Sequence, residues 1–416
     1  MAVIGFAASV CAIGVVGRDG LSSLWVKDAL DHEQMLSADK AVSLNKTNPE
    51  AYYARALLYR KNGKTIEAIK DLEHAAALRS GDHFLRLELG FTRYQAGDIQ
   101  GATQDFATAV HLAPFYAQPR WYLGNMFLQA GRLDEGFAEL RRAVKSDPSY
   151  LPDTIQNAAD AFAGDPVAIV RAINPESAET RLALERYFIQ HDNIPAAMEL
   201  FRAGKEMPAD DMRALLSDLI TAKRFADAHE VWLTRKGIDP SRSKEATSIS
   251  DEGFESEIDP DATAFEWQLE RRLVRIRATR DSQEFHSGGY SLRIDYEGNS
   301  NPSTKVISQL VLVEPNTDYR LSFAAQTVDI VTGGLPLVTV TDAADGNFLA
   351  KSSALPGGTA TWRNYEIECK TTSETQAVIV SIQRAACSSS PCPAFGRVWF
   401  DDFSWRSTRQ QNSPDK

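Results

Sequence analysis

The chain has 416 residues, enough for two or three domains with separate cores. Its 56 acidic and 45 basic residues give a formal net charge of -11 at pH 7. No global field attracts a phosphate backbone, which excludes general nucleic-acid binding.

The first element is AVIGFAASVCAIGVVG, residues 2–17, without a charge and broken only by glycine, which membrane helices tolerate. It is short for a span, and continuation into LSSLWV would lengthen it across Arg18 and Asp19. No basic residues precede it as in a signal peptide, and Cys11 lacks a lipobox. Residues 1–26 are therefore read as a membrane anchor, with a buried first helix as the alternative. Near the other end, Cys387 and Cys392 bracket SSSP, a spacing that can close a short disulfide and so implies an oxidising compartment. One such pair is not a zinc ligand set. Arg18 and Lys27 after the apolar run point the opposite way by the positive-inside rule, but a different start would supply the basic residues that rule counts. The expected location is the bacterial inner membrane, with one N-terminal anchor and the bulk periplasmic.

Beyond the anchor the chain repeats itself. Gly63, Gly97 and Gly131 are 34 residues apart, and their surroundings keep register. Small residues recur at Ala56, Gly90 and Gly124 and at Ala68, Ala102 and Gly136. Larger ones recur at Leu72, Phe106 and Leu140, followed by Ala75, Ala109 and Ala143 and by Ser80, Pro114 and Pro148. Small positions let paired helices approach, the large ones fill the space between neighbours, and Gly and Pro end the helices. The pattern resembles the tetratricopeptide repeat, whose unit is two antiparallel helices. Within a repeat region of 27–150, three full repeats are expected at 49–82, 83–116 and 117–150, preceded by a half repeat carrying Ala41 and Leu44. Divergent helices of the same kind are expected over 151–238, where Ala197 precedes Phe201 and Ala228 precedes Trp232. The resemblance implies a groove lined by the first helices, at Tyr53, Leu57, Leu87, Phe91, Trp121, Asn125 and Leu128, that takes proteins or peptides. Permanent occupation of that groove by the chain's own segments is the alternative.

Residues 239–252 are polar and aperiodic and read as a linker. The period then changes to two: YSLRIDY, VISQLVLV, DYRLSFAAQ, LPLVTVTD, NYEIECK, AVIVSIQR and VWFDDFSW are strand-length runs separated by turn residues. The fold class is thus a multidomain α plus β chain, a helical solenoid followed by an all-β sandwich over 253–406, with a disordered tail at 407–416. Arg271, Arg272, Arg275, Arg277 and Arg280 form a basic strip at strand spacing, read as a solvated strand face.

The order of GFE, FEW, HSGGYSLRI, SQLVLVEPNTDYRLSF, TWRNYEI and VWFDDFSW resembles the galactose-binding-like jelly roll of carbohydrate-binding modules. That resemblance implies a structural calcium where the first and last strands meet, held by Glu255, Gly288 and Asp401 or Asp402. The alternative is that the two Asp flank a core strand, one of them solvated. Strand alternation sends adjacent residues to opposite faces, so Asp401 and Asp402 are not expected to act together as a glycosidase pair. For a glycan, Trp267, Tyr290 and Trp362 are candidate stacking platforms, and Arg320 and Gln326 candidate polar contacts, with core or rim packing the alternative for each ring. No GxSxG, HExxH or Walker-type loop occurs, and the seven His are scattered. The expected function is non-enzymatic: protein binding by the repeats and polysaccharide binding by the sandwich, or a protein scaffold without sugar binding.

Overall fold

In the computed structural model, residues 2–204, 207–239, 248–388 and 390–408 are described, with the helix path alone for residues 2–16. The anchor side chains 2–16, the linker centre 240–247 and the tail 409–416 lie outside the described residues. Two compact units, Met1–Tyr187 and Phe188–Lys416, are taken in turn.

The first unit is a stack of antiparallel helix pairs. These are α1 (Ala2–His32) with α2 (Met35–Leu44), α3 (Pro49–Lys61) with α4 (Thr65–Leu78), and α5 (His83–Gln95) with α6 (Ile99–Leu112). Next come α7 (Ala117–Gln129) with α8 (Leu133–Ser146), then α9 (Leu151–Ala161) with α10 (Pro166–Ile173), and α11 (Ala178–Gln190) follows. Helix starts are capped locally. Asn48 accepts from the Glu50 amide ahead of Pro49, and Asp82 accepts from the amides of Phe84 and Leu85. Gly63, Gly97 and Gly131 have φ of 73, 82 and 72°, the left-handed conformation that turns each first helix into its second.

The small-residue positions act as the repeat demands. A Cβ added to Gly90 would lie 2.8 Å from the Phe106 ring, and one added to Gly124 would lie 2.9 Å from Leu140. Gly136 is tighter, 2.5 Å from Leu128 and 3.0 Å from the Gly124 carbonyl oxygen. Phe106 and Leu140 are fully buried where they fill the room so created.

A second periodic feature escaped the sequence reading. Asp71, Asp105 and Glu139 also recur at 34 residues and sit on the second helices with little or no exposure. Asp71 receives a two-pronged contact from Arg55 at 2.7 and 2.9 Å. Asp105 receives Arg86 at 3.2 Å and also Arg93, and Glu139 receives Arg120 at 2.5 Å. Burial pushes the Asp105 carboxyl upward against the pull of its two arginines. Each acid ties a first helix to its second by charge-assisted hydrogen bonds.

The expected half repeat is a full helix pair. Ser22 is completely buried, its hydroxyl donating to the Ala41 carbonyl at 2.9 Å and accepting from Asn48 at 3.0 Å. Val26 and Ala29 are buried too, and Arg18 donates to the Leu44 carbonyl at 3.0 Å. Of the stretch LSSLWV expected to lengthen the anchor to residue 26, Ser22 and Val26 are buried against α2 and α3, whereas Leu21 and Leu24 are exposed. Among the described residues no helix is long and apolar enough to cross a membrane.

The second unit joins α12 (Ile194–Ala203), α13 (Ala209–Thr221) and α14 (Phe225–Arg235) to ten strands. These are β1 (Gln268–Leu269), β2 (Ile276–Asp281), β3 (Ser291–Asn299), β4 (Ile307–Leu312), β5 (Asp318–Thr332), β6 (Pro336–Asp342), β7 (Phe348–Lys351), β8 (Gly358–Lys370), β9 (Ala377–Arg384) and β10 (Pro393–Ser407). They form two antiparallel five-stranded sheets, in the orders β1-β4-β9-β6-β7 and β2-β3-β10-β5-β8. The second is called sheet B below. Leu292, Ile294, Leu321, Phe323, Phe400 and Phe403 from sheet B meet Val338, Val340, Val380 and Ile382 from the other sheet in one core. The α14 face is held on the segment before β1: His229 and Trp232 pack on Phe265, with ring centroids 5.0 and 5.7 Å apart, and Lys236 pairs with Glu266.

Candidate functional site

Two faces and one corner gather the predicted residues. On the repeats, adjacent first helices are zipped by side chains at their shared face. Tyr53 meets the Phe84 ring edge at 5.5 Å, Phe91 meets Tyr122 at 5.9 Å, and Trp121 meets Tyr150 at 4.9 Å. Asn125 donates to the Trp121 carbonyl at 2.8 Å and accepts from Asn157 at 3.0 Å, a link between α7 and α9. Arg60 lies over the Phe91 ring and donates to Glu88 at 2.8 Å. Tyr53, Leu57, Phe91, Trp121 and Asn125 stay half-exposed. One expectation changes: Leu87 is buried and supports the groove from below, while Leu128, half-exposed like the others, packs on Gly136 within its own repeat.

The corner lies where the chain enters the sandwich beside the end of β10. The Phe403 amide donates to the Glu252 carbonyl at 2.9 Å. Asp401 is fully buried, and its Oδ2 accepts from the amides of His286 and Ser287 at 2.8 and 3.1 Å. Glu255 accepts from the amides of Gly289 and Tyr290 at 2.9 and 3.3 Å. Gly288, with φ of 66°, leaves room for that carboxylate: a Cβ there would lie 2.0 Å from Glu255 Oε1. Asp402 takes the Ser287 hydroxyl and the His286 ring on its two oxygens.

Both Asp therefore reach the same turn, against the expectation that alternation would part them. The cause is a bulge between Asp401 and Ser404 with Asp402 at φ of 52°. Burial pushes the Asp401 carboxyl up, opposed by three amide donors. Full burial also keeps any substrate from it. The calcium set does not fit as arranged. Calcium takes six to eight oxygens, whereas these carboxylates point at N–H and O–H donors. Among the described residues no three His, Cys, Asp or Glu side chains form a group able to hold a metal.

The second face is the outward side of sheet B. Arg320, Ser322 and Gln326 point outward from β5, while Tyr319, Leu321, Phe323 and Ala325 are buried. Gln326 donates to Glu284 at 3.2 Å, and Arg320 lies 3.7 Å from both Glu366 and Glu368. Trp362, half-exposed, rests on His286 at 5.5 Å. Tyr290 is covered by the Arg280 guanidinium, 3.6 Å from its ring centre. Trp267 is core: 4% exposed, it packs on Phe254 and Phe403 and donates to the Asp251 carbonyl at 3.1 Å. It is no sugar platform.

Sequence reasoning missed the centre of this face. Trp399 on β10 lies opposite Arg293 and Gln326, and its indole donates to Asp281 at 2.9 Å. Burial pushes the Asp281 carboxyl up, but this indole, two backbone amides and Arg293 together hold it below its ordinary value. Alternation in VWFDDFSW could have shown Trp399 outward, since Val398 and Phe400 are the core residues. In the connection from β9 to β10, Cys387 and Cys392 form a disulfide with Cα atoms 6.1 Å apart.

Residues 38–70 match the family model of the tetratricopeptide repeat. The pairs α3–α4, α5–α6 and α7–α8 repeat the matched pattern at the 34-residue spacing of Gly63, Gly97 and Gly131. A TPR repeat-containing protein of Pseudomonas aeruginosa, PA4299, is 36% identical over 87 residues, 21% of this chain; the match spans 36% of that relative's length. Among solved structures, MamA from Desulfovibrio magneticus RS-1 is similar at 16% identity and a TM-score of 0.30, over 44% of this chain and 92% of that one. The CBM22-1 xylan-binding domain of Paenibacillus barcinonensis Xyn10C is similar at 12% identity and a TM-score of 0.28, over 40% of this chain and 97% of that one. The chain thus carries tetratricopeptide-type helix pairs followed by a β-sandwich.

Proposed function

We propose that this chain is a non-enzymatic adaptor, holding a protein partner on the first-helix face of its repeats and a glycan on the outward face of sheet B. The observation that carries this reading is the row of half-exposed Tyr53, Leu57, Phe91, Trp121 and Asn125 on successive first helices. Part-exposed, mostly apolar side chains in register on a rigid stack suit an extended peptide. For the glycan half, Trp362 beside Gln326 offers a ring face with hydrogen-bonding groups alongside it. The Cys387–Cys392 disulfide supports an oxidising compartment. With the apolar first half of α1 as a tether, the reading becomes an inner-membrane protein with a periplasmic bulk, accessory to polysaccharide export or assembly. The corner at Asp401 serves this design as a hydrogen-bonded clasp without calcium.

A photo-crosslinking amino acid in place of Trp121 tests the protein half in cells, with the exposed second-helix position Leu78 as control. Crosslinks at 121 and none at 78 are expected; equal crosslinking at both contradicts the groove. A glycan array probed with the full chain and with Trp362→Ala tests the sugar half. A scaffold that binds proteins alone is the second reading, favoured by the burial of Trp267 and by the turn at His286 resting on Trp362. Under it the array stays blank.

A further inference from the structure

Three outward side chains follow one another along β10: Phe395, Arg397 and Trp399. Phe395 is 50% exposed and lies directly opposite Val331 of β5, itself 66% exposed, so an apolar step stands uncovered at the open end of sheet B. Arg397 is also exposed, and its guanidinium lies 5.8 Å from the Trp399 ring centre. Its cross-strand neighbours are Asp295 on β3 and Val328 on β5. Asp295 is already taken by Arg293 at 2.7 Å, with Arg277 at 3.7 Å. Among the described residues Arg397 has no acidic partner within ion-pair distance, although acidic side chains outnumber basic ones over the whole chain. An unpaired guanidinium between an exposed ring and a buried one, on a rigid central strand, asks for an anion joined to an apolar ring face.

We infer that this end of sheet B binds an anionic polysaccharide, the sugar ring lying on Phe395 and Val331 and its carboxylate meeting Arg397. This rests on the glycan reading above and names the class of glycan. A uronic acid supplies both parts in one residue: an axial C–H face for the aromatic ring and a planar carboxylate for the two-pronged guanidinium. A sulfated sugar would supply the same charge with a different geometry. The overall charge of -11 repels polyanions in general, so binding depends on this local contact and weakens with salt.

Affinity electrophoresis of the full chain in native gels cast with polygalacturonate, with carrageenan, a sulfated galactan without carboxylates, or with neutral xyloglucan tests it. Retardation is expected in polygalacturonate, with affinity falling roughly tenfold for Arg397→Ala and for Phe395→Ala. Both side chains are exposed, and unchanged melting of each variant checks that the fold is kept. Stronger retardation in xyloglucan, insensitive to Arg397→Ala, overturns the anionic class and leaves the glycan reading standing. Retardation in carrageenan alone overturns the carboxylate. Retardation in none of the three overturns this inference, while a positive glycan array for the full chain would still uphold the broader reading.

Discussion

Acidification should loosen the C-terminal unit through one histidine. His229 on α14 is 7% exposed, with its ring 5.2 Å from Trp232 and 5.0 Å from Phe265. Burial pushes its pKa down from 6.5 to about 4. The folded protein thus keeps this ring neutral at pH values where the unfolded chain protonates it. Its stabilising contribution is complete above pH 6.5 and is lost as pH falls from there toward 4. At 1.36 kcal/mol per unit, the full shift corresponds to about 3 kcal/mol, and linkage gives about 2 kcal/mol at pH 5 relative to pH 7. Urea titrations followed by tryptophan fluorescence report mainly this unit, since five of the seven Trp, namely Trp232, Trp267, Trp362, Trp399 and Trp405, lie in it. The wild type should lose about 2 kcal/mol more than His229→Phe between pH 7 and 5. A phenyl ring fits the aromatic cluster and cannot titrate. Parallel losses in the two proteins would refute the assignment of this pH dependence to His229.

Three further outcomes follow from packing and charge. Gly136→Val should cost about 1–3 kcal/mol, because its new carbons collide with Leu128 and the Gly124 carbonyl, whereas Gly81→Ala, with nothing within 4 Å, should be near neutral; thermal melts compare them. Asp105→Ala should destabilise the repeats by about 1–2 kcal/mol by removing the acid shared by Arg86 and Arg93, Arg93 keeping Glu73, read by chemical denaturation. Adding calcium or EDTA should leave the melting of the sandwich unchanged; a calcium ion bound at 100 times its Kd would add about 2.7 kcal/mol, an easily seen upward shift.

Much of the fold was legible because it is periodic. The 34-residue spacing of Gly63, Gly97 and Gly131 encodes the helix pairs, and alternation in strands such as AVIVSIQR encodes the sandwich. The failures have physical causes. Hydropathy masked the pairing of α1 with α2, since α1 buries small residues, Ser22 and Ala29, and exposes Leu21 and Leu24. β7 is too short to show a period, and β2 mixes Arg with apolar residues. The joint reach of Asp401 and Asp402 depends on a left-handed aspartate, which no spacing announces. The packing of His229 on Phe265 is long-range and has no local signature. In the candidate site, the half-exposed Tyr53, Phe91 and Trp121 sit at positions the repeat pattern marks, and alternation in VWFDDFSW marks Trp399, but the pairing of Phe395 with Val331 required strand register.

The central claim is that the first-helix face captures an extended apolar peptide. Peptide-library panning on the full chain, followed by calorimetry of an enriched peptide, tests it directly. Micromolar binding that weakens at least about tenfold in Trp121→Ala, with melting unchanged, is the expected result. No enriched sequence, or binding indifferent to Trp121 and Phe91, would contradict it.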